Sequence, residues 1–417
     1  MTNTNLNGLT GMCVATYRVH DDGADFAKKA LSIAVGLTVG SWTDLPELRK
    51  AEMEKHLGRV LSVEEHEGDG SPGGRHADIR IAYPDINFSR DIPALLVTVF
   101  GKLSMDGRVK LIDLDVSEGF QSAFPGPKFG IQGVRGLLGV HDRPLLMSIF
   151  KSVIGHDLKG LEEQFYQQAL GGVDLIKDDE ILFENAETGI DRRVTVCMEA
   201  ARRASEQTGQ KLLYAVNLTG PTSKLADQAR RAIAEGANAL LFNVLAYGYD
   251  ALHELSADST INVPIAAHPA LAGAFYPSPH YGIAAPLLLG KLMRLAGADL
   301  VLFPSPYGSV VMPKEENLAI REALLDETRP MRTSFPVPSA GIHPGLVPLL
   351  VRDFGLDSVV NAGGGVHGHP GGAAAGGQAF RQAITAAMSG VPLQQAAAEP
   401  GHEALRAAVE AWGVREA

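Results

Sequence analysis

Between residues 145 and 362 one pattern recurs eight times: a short apolar run, a polar or glycine-containing end, then a stretch with helical spacing. The runs are Leu145 to Phe150, Val173 to Ile176, Leu212 to Val216, Ala239 to Phe242, Pro264 to Ala267, Leu300 to Phe303, Phe335 to Pro338 and Val359 to Ala362. Apolar runs this short, without alternation, read as strands buried on both faces, and such strands belong to parallel sheets covered by helices. Eight units spaced roughly thirty residues apart predict a (β/α)8 TIM barrel, with a doubly wound open sheet as the competing reading. The count of eight favours the barrel. So does the position of the residues able to do chemistry, just past the runs, where the catalytic mouth of a barrel lies. Leu393 to Trp412 reads as a closing helical segment.

Ahead of the barrel the pattern differs. Cys13 to Val19 alternates, Ala24 to Val35 has helical spacing, Arg59 to Glu65 and His76 to Ala82 alternate, Ile92 to Met105 is apolar at helical spacing, and Val109 to Val116 alternates. That order predicts a ferredoxin-like α+β sandwich. The expected organisation is an N-terminal ferredoxin-like domain over 1–124, then a barrel domain with its C-terminal helical segment over 125–417, PGPKFG at 125 to 130 being the linker.

A net charge of −11, without a long lysine or arginine run, argues against nucleic acid and anionic membrane as partners. A small anionic substrate stays compatible, because a local cation or metal decides that. Cys13 and Cys197 are far apart and lack a CxxC or histidine partner, so two buried reduced thiols are expected. MTNTNLNGLTGM has no basic stretch leading into an apolar core, and no apolar run approaches the length needed to span a bilayer, so a cytoplasmic protein is expected.

The second unit ends in GGVDLIKDDE, 171 to 180. On a strand of period two, Lys177 and Asp179 share a face, and Glu180 lies just past the strand end. Two carboxylates at a barrel mouth suit a hard ion such as magnesium. An ammonium at Lys177 would repel that ion, and conversion to a carbamate by CO2 would make the lysine an oxygen ligand instead. A lysine paired with its acidic neighbours is the alternative. His268 ends the fifth run and Lys151 follows the first. Taken alone, the histidine reads as a satisfied core residue, and the lysine as either a surface lysine or an active-site cation. Gly341, Gly363 and Gly364 offer side-chain-free backbone in the loops after strands seven and eight, where barrel enzymes often hold phosphate. The run Gly371 to Gly377 reads as close helix packing.

These stretches resemble RuBisCO and the RuBisCO-like proteins. GGVDLIKDDE is similar to the family's metal motif, PKFG at 127 to 130 to its first-strand lysine motif, and SAGIHPG at 339 to 345 and NAGGGVHGHP at 361 to 370 to its seventh- and eighth-strand loops. The resemblance implies magnesium held by carbamylated Lys177, Asp179 and Glu180. It implies substrate contacts from Lys128, Lys151, the Lys177–Asp178–Asp179–Glu180 run and His268, with Gly341, Gly363 and Gly364 on the phosphate. His343, His367 and His369 are given no role beyond lining or supporting the phosphate loops.

Within the family the sixth-strand loop of RuBisCO carries a lysine that orients CO2, and FPSPYGSVVMP at 303 to 313 has none. Pro269 stands where RuBisCO has an arginine for a second phosphate, and Gly36 replaces an acidic residue before the tryptophan motif. No carboxylase activity and a monophosphate substrate with an apolar far end are implied. GLTVGSWTDLP, IPALLVTVFGKLS, AYGYD and FPSPYGSV resemble the RuBisCO-like enolases of methionine salvage. That resemblance implies tautomerisation of a phosphorylated diketone, with Lys102 of FGKLS as the base. It also implies a homodimer in which Lys102, Trp42 and Thr43 serve the partner's site. Isomerisation or decarboxylation of another phosphorylated keto-sugar or keto-acid is the runner-up, and a non-catalytic scaffold the third reading.

Overall fold

A computed structural model describes residues 9–40, 47–68 and 74–415, so Trp42 and Thr43 lie outside the described residues. The chain forms two compact units, Met1–Pro125 with Leu271–Leu288, and Gly126–Ala270 with Leu289–Ala417. No helix among the described residues is long and apolar enough to cross a membrane.

In the first unit β1 (Met12–His20), β2 (Arg59–His66), β3 (His76–Pro84) and β4 (Arg108–Asp115) pair antiparallel in the order β4-β1-β3-β2, the arrangement of a ferredoxin-like sheet. Alternation decides which face is covered: Tyr17, Val19, Ile79, Ile81 and Val109 are buried. Helix Phe26–Gly36 starts where Asp25 accepts from the Lys28 N–H, and buries Phe26, Ala30, Ile33 and Ala34. The expected second helix is interrupted. It runs as Ile92–Leu96, capped by Asp91 with Pro93 in the first turn, then as a π-turn over Val97–Gly101 and a short 3-10 turn over Leu103–Met105. Cys13 is buried, which pushes its thiol up to about 12, and Cys197 is buried and free as well.

The second unit is the barrel. Its parallel strands are β5 (Leu145–Ile149), β6 (Leu175–Lys177), β7 (Leu213–Asn217), β8 (Ala239–Phe242), β9 (Ile265–Ala267), β11 (Leu300–Pro304), β12 (Phe335–Ser339) and β13 (Val359–Ala362). Their sheet order is β12-β11-β9-β8-β7-β6-β5-β13, and across the seam at its two ends Asn361 Nδ2 donates to Ser339 Oγ at 2.8 Å. Between β9 and β11 the chain enters the first unit, where β10 (Gly282–Ile283) adds a parallel strand beside β4. Nothing in the apolar pattern announces that excursion.

Helix Gly130–Leu138 packs Ile131, Val134 and Leu138 against Leu145, Leu175, Leu213, Ala239 and Leu300, residues that begin barrel strands, and so closes the floor of the barrel. Each such side chain taken fully from water contributes about 2 kcal/mol. Charges at this floor are matched. Asp299 accepts from the N–H groups of Phe129 and Gly130 at 2.8 Å each and of Ile265 at 2.9 Å. Asp174 accepts two bonds of 2.6 Å from Arg143 and one from the Leu146 N–H.

Candidate active site

Three buried strand ends build the opposite end of the barrel. β6 ends on Lys177, whose side chain is wholly buried. Its Nζ donates to the Asp178 carbonyl at 2.8 Å and stands 3.6 Å from Glu180 Oε2. Burial lowers this ammonium to about 8, against the opposing fields of Glu180 and Asp179. Past β9, His268 Nδ1 accepts the Ala270 N–H, which leaves the proton of the neutral ring on Nε2, 3.4 Å from Glu180 Oε2. Burial, aided by the Lys177 charge, holds this imidazole well below its ordinary value, so it is neutral. Past β5, Lys151 Nζ donates to Asp179 Oδ2 at 2.9 Å. The stem of Lys151 crosses the face of Gly363, where a Cβ would come within 2.4 Å of Lys151 Cε. Gly364 next to it faces open space.

Lys151, Lys177, Asp179, Glu180, His268 and Gly363 are thus brought to one mouth. Gly341 lies in the loop after β12 at φ 69°, with no room for a Cβ because Ser309 N would be 2.4 Å away. Lys102 belongs to the first unit, exposed, directly after the π-turn Val97–Gly101. Turns of that kind concentrate at functional positions.

Two of the expected residues have side chains placed away from this mouth. Asp178 does not turn its side chain to the mouth. Period two places it on the face opposite Lys177, wholly buried, accepting from Tyr214 Oη at 2.7 Å, from the Asn217 N–H at 2.8 Å and from Arg193 Nε at 3.2 Å, with Arg193 Nη2 in ion-pair range at 3.1 Å. That carboxylate, against the cost of burial, raises the Arg193 guanidinium further. Lys128 is at the floor and not the mouth. It precedes the first barrel strand, and its Nζ donates to the carbonyls of Asp258 and Ile261 at 2.6 Å each. Its neighbours Phe129 and Gly130 bond Asp299, just before β11. A residue upstream of a strand enters at the end away from the chemistry.

Residues that sequence reading passed over hold the backbone that follows β6. Asn217, ending β7, donates to the carbonyls of Glu180 at 3.0 Å and Leu182 at 3.2 Å, and Asn243, directly after β8, donates to the Glu180 carbonyl at 3.3 Å. Each stands one position past an apolar run, which was the available signal. The late histidines serve as supports: His367 Nε2 bonds the Ile149 carbonyl at 3.0 Å, His369 Nε2 the Ala404 carbonyl at 2.8 Å, and His343 lies against Trp412 with ring centroids 6.0 Å apart. In the glycine run, a Cβ at Gly376 would meet the Val366 carbonyl at 2.1 Å, which is close packing.

This barrel and mouth define a RuBisCO large-chain homologue. The chain matches the ribulose bisphosphate carboxylase large chain catalytic domain over residues 130–412 and its N-terminal domain over 3–118, and it belongs to that family. It is 57% identical over 410 residues to the 2,3-diketo-5-methylthiopentyl-1-phosphate enolase of Geobacillus thermodenitrificans, covering 97% of this chain and 98% of the relative. The structure of a rubisco-like protein (MtnW) from Alicyclobacillus acidocaldarius superposes with a TM-score of 0.91 at 50% identity, over 97% of this chain and 99% of the other. A dimeric archaeal Rubisco from Hyperthermus butylicus superposes with a TM-score of 0.85 at 30% identity, over 97% and 96%.

Proposed function

We propose that the chain converts 2,3-diketo-5-methylthiopentyl-1-phosphate into 2-hydroxy-3-keto-5-methylthiopentenyl-1-phosphate in methionine salvage, as a magnesium-dependent cytoplasmic homodimer. The observation that carries this reading is a fully buried lysine set among carboxylates and a neutral histidine at a barrel mouth, in a chain 57% identical to a full-length enolase.

The donor set bears on the metal. Asp179 and Glu180 offer the oxygens magnesium prefers. Among the described residues no three His, Cys, Asp or Glu side chains come together to hold an ion, so the carboxylates alone fall short. A Lys177 lowered to about 8 keeps a fraction of neutral amine near pH 7, the form that takes up CO2 as a carbamate. The residues therefore fit an ion held by Asp179, Glu180 and a Lys177 carbamate. When bound, magnesium supplies Lewis-acid stabilisation of negative charge on the substrate oxygens.

The remaining work belongs to side chains and backbone. Lys102 of the partner subunit takes the proton from C1. The C1–H electron pair becomes the C1–C2 double bond, and the C2 oxygen, left negative, takes up a proton to give the hydroxyl. The neutral His268 presents Nε2–H as a donor to substrate oxygen. The backbone at Gly341, Gly363 and Gly364 receives the phosphate, with the Lys151 stem laid against Gly363.

The deciding assay incubates the purified protein with the diketone phosphate, magnesium and bicarbonate in D2O, following C1 proton loss by NMR and the enol by ultraviolet absorbance. Absence of an enol product would refute the reading. The shared site has its own check: Lys102→Ala and Lys177→Ala, each inactive, should regain roughly a quarter of wild-type activity when their subunits exchange at random. A verified heterodimer as inactive as its parents would place Lys102 outside the partner's site.

A further inference from the structure

The loop after β11, residues 305–313, has no chemical role in the reading above, yet it is fixed at more points than a connection requires. Its ends close where Met312 N donates to the Ser305 carbonyl at 3.4 Å, and Met312 is fully buried. Ser305 Oγ accepts from the N–H groups of Gly308 at 3.1 Å and Tyr307 at 3.3 Å. The tip then lies backbone to backbone on the turn after β12. Ser309 N donates to the Ala340 carbonyl at 3.3 Å, and a Cβ on Gly308 would stand 1.5 Å from that same oxygen. Ala340 and Gly341 are both left-handed, at φ 72° and 69°, a conformation alanine adopts only when its surroundings impose it.

Beyond these bonds, one polar side chain fastens the loop to the neighbouring helix. Val310 and Val311 are 55% and 66% exposed and give no apolar anchor. Tyr307 Oη instead donates to Asp353 Oδ2 on helix Val347–Phe354. The Asp353 side chain is only 7% exposed and also receives Lys314 Nζ at 3.1 Å and Arg352 Nε at 2.8 Å. Burial opposes ionisation of Asp353, but these three donors outweigh it and hold the carboxyl at about 2, while burial and the facing carboxylate raise the Tyr307 phenol. Acceptor and donor therefore keep their roles across the neutral range.

We propose that Tyr307 is a positioning residue for substrate binding: its phenol, fastened to Asp353, presses the loop after β11 onto the Ala340–Gly341 turn and sets the end of the site that receives the substrate's anionic group. The inference rests on the reading that Gly341 faces the phosphate. It assigns to this loop a binding role that needs no lysine in it.

The test uses Tyr307→Phe, which removes one oxygen and keeps the ring. KM for the diketone phosphate should rise roughly tenfold with kcat within about twofold, and the inhibition constant of inorganic phosphate should rise in parallel, as expected for loss of a charge-assisted bond that shapes ground-state binding. Amides of Gly308 and Ser309 should exchange with deuterium at least about tenfold faster, reporting the loop directly. Asp353→Asn keeps an acceptor for the phenol and should retain most of the affinity, whereas Asp353→Ala should behave as Tyr307→Phe does. Unchanged KM and phosphate inhibition in Tyr307→Phe would overturn the proposal, and so would equal losses in both Asp353 variants. If the wild type leaves the diketone unconverted, the functional reading fails by itself. Phosphate binding and amide exchange then decide the clamp, and wild-type exchange rates in Tyr307→Phe would overturn it.

Discussion

The two ends of the barrel use the same residue types to opposite effect. At the floor the charges have close partners: buried Asp299 accepts three backbone N–H groups, buried Asp174 a forked pair from Arg143 and a backbone N–H, and half-buried Lys128 reaches two carbonyls. At the mouth Lys177 is as deeply buried, yet it has one carbonyl at 2.8 Å and one carboxylate at 3.6 Å. Burying a charge is costly unless it is paired and bonded. The floor meets the bonding part of that condition, although burial still raises the Asp299 carboxyl to about 6 and lowers the Lys128 ammonium. The mouth does not, and such a shortfall among buried titratable groups marks a candidate functional site.

The sharpest way to break this comparison is Lys177→Met. Activity should fall by about a thousandfold or more, the scale on which loss of an essential catalytic group is felt. Its stability should be unchanged or higher, because an apolar side chain of similar length relieves an under-satisfied buried charge. Thermal unfolding measured beside turnover checks both halves. A large loss of stability would show that the mouth is as structural as the floor.

Much of this contrast could be read before the structure. Strands buried on both faces leave uninterrupted apolar runs, so all eight barrel strands stood out, and a polar residue directly after a run was placed at the mouth. Period two along β6 also contained the separate fates of Asp178 and Asp179, although motif similarity drew Asp178 into the site. Lys128 misled for a related reason: PKFG looks like a strand-end motif, but it precedes the first run and so enters from the floor. The return of Leu271–Leu288 to the first unit depends on tertiary pairing of β10 with β4, and the π-turn before Lys102 on a local register change. Neither alters hydrophobic periodicity, which is why neither was legible.

At the floor, Asp299→Ala should strip three N–H groups of their acceptor and cost roughly 3–4 kcal/mol of stability. Turnover per folded molecule should remain within about twofold, since the residue is at the far end of the strands. Denaturant titration measures the first and active-site-normalised kinetics the second. A selective loss of turnover would tie floor to mouth and blur the distinction.

Gly363→Ala probes the mouth more gently. The new Cβ would clash only with the flexible end of Lys151, its other neighbour Ile149 Cβ at 3.5 Å being in ordinary contact, so the fold should lose less than about 1 kcal/mol. Displacing Lys151 from the phosphate loop should raise KM roughly tenfold. An unchanged KM would remove Gly363 from the substrate's surroundings.

Lys128→Met carries the smallest expected effect and tests whether this lysine belongs to the floor. Two carbonyl bonds and the fields of Asp258 and Asp299 favour the ammonium, while burial, the larger influence, lowers its pKa. These oppose each other, so the substitution should cost only about 1 kcal/mol, with KM for the diketone phosphate unchanged. The lowered pKa fixes a sign. Just below the ordinary lysine value the unfolded chain binds more protons than the folded one, so this group makes stability rise with pH through that alkaline window. Unfolding free energies compared across it should show a steeper rise in the wild type than in the variant. A KM raised tenfold in Lys128→Met would instead return this lysine to the substrate, and the separation of floor from mouth would fail at the residue where sequence and structure disagreed most.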